Sequence, residues 1–153
     1  MSNTVWTAGA YWAMAMPDQT FGFCRLMAFP YAAFLKRQAH VAEADVEVLD
    51  ASRVLFVIAV HRTSLRRWTP TAARSRLPMT DELPPVFMQN EGDLSQCSIR
   101  GLSGEMRPAR PDECTGLERA AVWSAAQAET RLWDSLNGRP NAHAESLRVK
   151  LPV

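Results

Sequence analysis

Lysine is nearly missing from this chain. Of 17 basic residues only Lys36 and Lys150 are lysine, and the rest are arginine. Alanine is abundant as well, which points to codon composition, so the arginines alone are weak grounds for a phosphate-binding surface. Charge of one sign is lacking too. The formal net charge is +1 at pH 7, which excludes a whole-molecule field strong enough to gather nucleic acid or an acidic membrane and leaves any electrostatic role local. Cysteine is scarce and odd in number. Cys24, Cys97 and Cys114 stand far apart with no C-x-x-C pair, so neither a disulfide framework nor a zinc ribbon is indicated, and free thiols in a reducing cytosol fit best. The seven glycines form neither G-x-G-x-x-G nor a P-loop, and the His and Cys spacings match no zinc site; no cofactor and no metal is expected. Long apolar runs are absent as well. The opening residues carry no basic n-region, and the apolar stretch after them is broken by Pro17, Asp18 and Arg25 before it reaches spanning length. Neither export nor membrane insertion is visible, and a cytoplasmic protein is expected.

What is present is an ordinary globular balance, with 47% hydrophobic and 22% charged residues over 153 positions. One domain covering 1–153 is expected, of mixed α+β class, mainly β over 1–110. Ala10–Met16 and Phe21–Met27 are aromatic-rich runs joined by Pro17-Asp18-Gln19-Thr20, a β-hairpin apolar on both faces and hence part of a sheet covered on each side. Tyr31–Ala44 follows Pro30 and reads as a short helix or a loop. Val54–Val60 has no charge and is largely β-branched, the pattern of a central strand buried on both faces. Arg62–Leu83 reads as loop around a short strand near Trp68. Pro84-Pro85 places the strand Val86–Gln89 at a sheet edge, and Gln96–Arg100 reads as another strand.

The last third carries a helical pattern. Pro111-Asp112-Glu113 suits a first turn, and Leu117, Ala121, Ala125, Ala128, Leu132 and Leu136 step by three and four. This predicts an amphipathic helix over 111–138 with Trp123 and Trp133 flanking its apolar stripe, stopped by Asn137-Gly138 and Pro140. Residues 139–153 read as a terminal strand or tail.

Candidate chemistry is sparse. Arg53, His61, Arg62, Arg66, Arg67, Arg74 and Arg76 fall between Asp50 and Asp81 with no carboxylate among them, and Trp68 lies within the group. Aromatics among cations hold single-stranded nucleic acid by stacking and phosphate pairing. The competing reading is a solvated loop whose arginines pair with the acidic run Glu43, Asp45, Glu47 and Asp50, and the near-neutral charge favours it. Catalysis would have to use the three cysteines with His40, His61 or His143. Cys24 and Cys97 lie in apolar strand patterns, where a thiol is usually an inert small hydrophobe, so no enzyme is expected. The tryptophans serve either core or interface, and core is the commoner use.

Two stretches bear a resemblance to a known family. Gly9-Ala10-Tyr11-Trp12-Ala13-Met14-Ala15-Met16-Pro17-Asp18 with Phe21-Gly22-Phe23-Cys24-Arg25 resembles the opening of the immunity protein 26 family of bacterial polymorphic toxin systems. Pro84-Pro85-Val86-Phe87, Arg107-Pro108-Ala109 and Glu113–Trp123 running on to Glu129-Thr130-Arg131-Leu132 are similar to later segments of that family. The resemblance implies a non-enzymatic antidote that binds and neutralises a cognate toxin protein, built as a twisted, partly closed antiparallel sheet packed against one long carboxy-terminal helix. It carries over no catalytic residue. A contact surface mixing Glu43, Asp45, Glu47 and Asp50 with Arg66, Arg67 and the anchor Trp68 is the expectation for such a partner, since an acidic patch would complement a basic toxin. Oligomeric state is not written in the chain.

Overall fold

The computed structural model describes residues 5–152. Its class is α+β, with two antiparallel-rich sheets and few helices. The chain divides into two compact units. The larger holds residues up to 79 and 122–141, and the smaller holds 80–121 and the residues from 142 on.

The larger unit is built on a six-stranded sheet. Strands β1 (Ala10–Ala15) and β2 (Phe21–Leu26) form the expected hairpin, with Ala13 opposite Phe23. Its turn places Gln19 at φ 68, the left-handed region where a side chain is strained. Beyond it lie β3 (Tyr31–Ala39), the short helix α1 (Val46–Asp50), β4 (Val54–Val60) and β5 (Thr69–Arg74). The two-residue strand β10 (Val122–Trp123) completes the order β10-β4-β3-β2-β1-β5.

Both faces of this sheet are covered, as the two-sided apolar hairpin predicts. On one face Tyr11, Ala13, Phe23 and Leu35 pack with Ala73 and with Leu49 of α1. The other receives α2 (Ala125–Leu136), which lies against β3 and β4. There Phe34 stacks on Phe56 with ring centroids 4.8 Å apart and meets the edge of Trp68 at 5.9 Å. Gly22 lets the helix sit close: a Cβ there would stand 2.6 Å from Leu132 Cδ2.

Several expectations are corrected here. Tyr31–Ala44 is neither helix nor loop at its start, since Tyr31–Ala39 is a strand paired on both sides, and Tyr31–Leu35 are all buried. The helix expected over 111–138 shrinks to Ala125–Leu136. Upstream of it the chain makes a single 3-10 turn at Pro111–Cys114, then β9 (Glu118–Arg119) and β10. Gly116, at φ 84, ends the turn, and Ser124 starts the helix through a capping box with Gln127. Trp123 is therefore a buried strand residue, not one on the helix. Ala128 and Leu132 do form the buried stripe, and Gly138 at φ 67 follows the last turn. β4 lies next to the sheet's end, and its first residue, Val54, is 37% exposed.

The smaller unit has its own sheet, in the order β8-β7-β6-β9, from β6 (Val86–Asn90), β7 (Asp93–Arg100), β8 (Met106–Ala109) and β9. β6 is not the edge strand that Pro84-Pro85 suggested. The prolines precede it and spare its ladder, and β9 pairs along its other side. The core is small: Phe87, Cys97, Ile99 and Cys114, with Ala109, Leu117 and Val149 against them. Of the strand or tail expected over 139–153, the structure has the tail, preceded by the short helix α3 (Ala142–Ser146). Gln89 donates to the Lys150 carbonyl at 2.7 Å and accepts from its N–H at 3.0 Å, and Arg119 donates to the Leu147 carbonyl at 2.9 Å, which fixes that tail.

Candidate partner-binding groove

The chain leaves β1 through Met16 and Pro17, re-enters the sheet at β5 after a 3-10 turn over Arg62–Arg66, and returns in α2. These three segments enclose a groove of about 460 Å³ in the larger unit. Ala15, Met16, Pro17 and Ala126 give it apolar wall, and Trp68 and Trp133 give it aromatic wall. Its polar element is one network. Glu129 of α2 accepts from Arg67 Nη2 at 3.0 Å and from Trp68 Nε1 at 3.1 Å, and its second oxygen also stands 2.8 Å from Arg67 Nε in an ion pair. The carboxylate is largely withdrawn from water, its side chain 15% exposed, whereas the Arg67 side chain is 58% exposed. A two-pronged guanidinium–carboxylate pair of this kind holds both groups in one geometry. Arg66 is exposed, and no carboxylate among the described residues pairs with it.

Trp68 is buried at 5% exposure. Its ring belongs to the core with Phe34, and its N–H belongs to Glu129. It therefore supplies the groove with a wall and is not a free platform on which a base stacks.

The acidic run lies along the second half of β5 and the residues that follow it. Glu43 accepts from the Ala72 N–H at 3.2 Å and so caps an outward amide of this edge strand. Asp45 precedes α1 as its N-cap without a side-chain bond to the helix. Glu47 pairs with Arg76 at 3.0 Å, both well exposed. Asp50 accepts from the Tyr11 hydroxyl, from Ser75 Oγ at 2.8 Å and from the Arg76 N–H at 2.9 Å. Burial works to raise the Asp50 carboxyl, but those bonds and the nearby Arg25 charge outweigh it and hold the group below its ordinary value. Burial, and then the bond to Asp50, pushes the Tyr11 phenol up.

The seven expected contact residues thus fall into two places. Arg67 and Trp68 line the groove, with Arg66 exposed beside them in the chain, while Glu43, Glu47 and Asp50 hold the second half of β5 and the residues after it and Asp45 stands at the start of α1. The loop arginines divide similarly: Arg76 pairs with the acidic run as the solvated-loop reading has it, but Arg67 pairs with Glu129 and Arg74 donates to the Thr71 and Ala73 carbonyls. Glu129, Thr130 and Trp133 are groove residues that the chain's pattern does not single out for contact.

All three cysteines are free and buried, and His40 and His61 are exposed. Among the described residues no group of three or more His, Cys, Asp or Glu is placed to hold a metal ion. No helix among them is long and apolar enough to cross a membrane. Compared with protein-family models, with curated proteins and with solved structures, the chain has no significant match.

Proposed function

We propose that this protein is an immunity-type binding protein, which neutralises a cognate bacterial toxin by direct contact and does no chemistry of its own. The observation that carries the reading beyond the family resemblance is the groove. It offers an apolar and aromatic wall with a fixed Arg67–Glu129–Trp68 network. That is the composition of a protein-binding surface: aromatic anchors and arginine around a preorganised hollow. On this reading the contact lies at the groove, and the acidic run supports it only indirectly, by fixing β5 and the residues after it. A cytoplasmic location and, at finer grain, a partly closed sheet with a dominant carboxy-terminal helix belong to the same proposal.

The test is co-expression with a toxin encoded in the adjacent gene, followed by titration of the purified pair. Growth rescue with tight, saturable binding supports the reading. Ala126→Arg, which fills the groove from an exposed helix position, should abolish both while leaving the fold intact. Absence of binding together with turnover of a substrate by the free protein overturns it. Oligonucleotide binding that falls steeply with salt and weakens in an Arg66→Ala, Arg67→Ala double variant would favour the nucleic-acid reading instead.

A further inference from the structure

The cysteines look unrelated in the sequence, but the smaller unit brings two of them together. Cys97 lies on β7 opposite Ala109 of β8. The chain then passes through Arg110 into the 3-10 turn Pro111–Cys114, which packs back on β7. Cys97 and Cys114 consequently share a core of four buried residues, in which the Cys97 thiol, after burial, helps push the Cys114 thiol up. Neither is otherwise strongly held: Cys97 Sγ is 3.8 Å from the Leu94 carbonyl and Cys114 Sγ is 3.6 Å from that of Arg110. Cys24 is buried within the sheet of the larger unit and has no thiol neighbour of this kind among the described residues.

We propose that Cys97 and Cys114 form an oxidisable dithiol, which closes to an intramolecular disulfide with a hydroperoxide as oxidant and ties the 3-10 turn to β7. The two sulfurs have different roles. Cys114 is fully buried, and burial, followed by the adjacent Cys97 thiol, pushes it up to about 11, so it does not supply the attacking thiolate. Cys97 retains 8% exposure and reacts first. Its thiolate attacks one peroxide oxygen, the O–O bond breaks, and Cys97 becomes a sulfenic acid while the departing oxygen takes up a proton. Cys114 sulfur then attacks the sulfenyl sulfur. The S–S bond forms, the S–O bond breaks, and hydroxide leaves with the Cys114 proton as water. Two thiols are oxidised by two electrons, and the peroxide is reduced to water or, for an organic peroxide, to water and an alcohol. Burial makes the reaction slow, and it also shields the product from reductants.

The experiment uses the full-length reduced protein with hydrogen peroxide, followed by alkylation under denaturing conditions and peptide mapping. The expected product is a monomer lighter by two hydrogen atoms, carrying a Cys97–Cys114 cross-link that dithiothreitol reverses, with Cys24 still alkylated. The oxidised form should also resist proteolysis in residues 80–121 better than the reduced form. Cys97→Ala and Cys114→Ala should each abolish the two-hydrogen loss, and the map of the unaltered protein decides the matter should either variant fold poorly. A cross-link involving Cys24, an intermolecular disulfide as the main product, or complete alkylation of all three thiols after prolonged oxidation would overturn the proposal.

Discussion

Replacing Glu129 tests whether the groove is held by one carboxylate. Glu129 receives two hydrogen bonds, one from Arg67 and one from Trp68, and an ion-pair contact from Arg67 Nε. Glu129→Ala leaves the buried Trp68 N–H without its acceptor, a loss of about 1–3 kcal/mol. The half-exposed Arg67 returns to water and adds about 0–1 kcal/mol. The expected total is about 1–4 kcal/mol, or a fall in Tm of about 2–16 °C for a chain of this length. Glu129→Gln keeps an oxygen for the Trp68 N–H and loses the charge, so about 1 kcal/mol is expected from the same reasoning. Arg67→Ala leaves the largely buried carboxylate with Trp68 and whatever water enters in place of the guanidinium, so about 1 kcal/mol is expected there too. Urea denaturation followed by tryptophan fluorescence reads all three, and Glu129→Ala is predicted to be the most damaging. Should Glu129→Ala fall within about 0.5 kcal/mol of the parent, as ordinary surface changes do, or should Arg67→Ala be the most damaging, the network is not what fixes α2 to the turn before β5.

Three further outcomes follow from the same structure. The Asp50 carboxyl sits below its ordinary value in the folded chain, so the unfolded state takes up the proton first. Its contribution is present above the unfolded value of about 3.9 and is lost as pH falls through it towards the folded value, and Asp50→Asn should flatten the stability–pH curve in that window, as pH-dependent urea titration would show. Leu132→Ala should lose about 2–5 kcal/mol as a buried leucine truncation, and Gly22→Ala about 1–3 kcal/mol through overpacking against Leu132; together they should lose less than the sum, and strict additivity in calorimetry would contradict the contact. Gln19 stands at φ 68, so Gln19→Gly should raise stability by about 0.5–1 kcal/mol, relief of left-handed strain less the added chain entropy, and a lowered Tm would deny that strain.

The hairpin is legible in the chain because its signal is local: two apolar aromatic runs and a Pro-Asp turn lie within seventeen residues of sequence, Ala10–Leu26. β3 is obscured because its second half, Lys36-Arg37-Gln38, is exposed and polar, so only Tyr31–Leu35 carries apolar pattern, and that is too short to separate strand from helix. The overlong helix has the opposite cause. Leu117 and Ala121 continue the three-and-four spacing by coincidence, whereas Ser124-Ala125-Ala126-Gln127 already spells the capping box that starts α2 where it begins. The separation into two sheets depends on which strands pair, and no run in the chain encodes pairing.

The site is legible in halves. Arg67 and Trp68 stand out as cations beside an aromatic, but Glu129 is 62 residues from Arg67 in sequence, and only the docking of α2 joins them. The acidic run is visible as charge, while its use is not: the donors that occupy Glu43 and Asp50 are backbone amides and hydroxyls of β5, of the residues after it and of β1. Cys97 and Cys114 look too distant to meet for the same reason, since the β7–β8 hairpin that folds one back on the other carries no cysteine pattern.

The central claim is that this chain binds a toxin through the groove of its larger unit. Isothermal titration of the purified protein with a toxin encoded beside it, run in parallel with Ala126→Arg, tests it most directly. The expected result is saturable one-to-one binding by the parent and none by the variant, with both equally folded. Equal binding by the two would move the contact away from the groove, and no binding by the parent would contradict the claim itself.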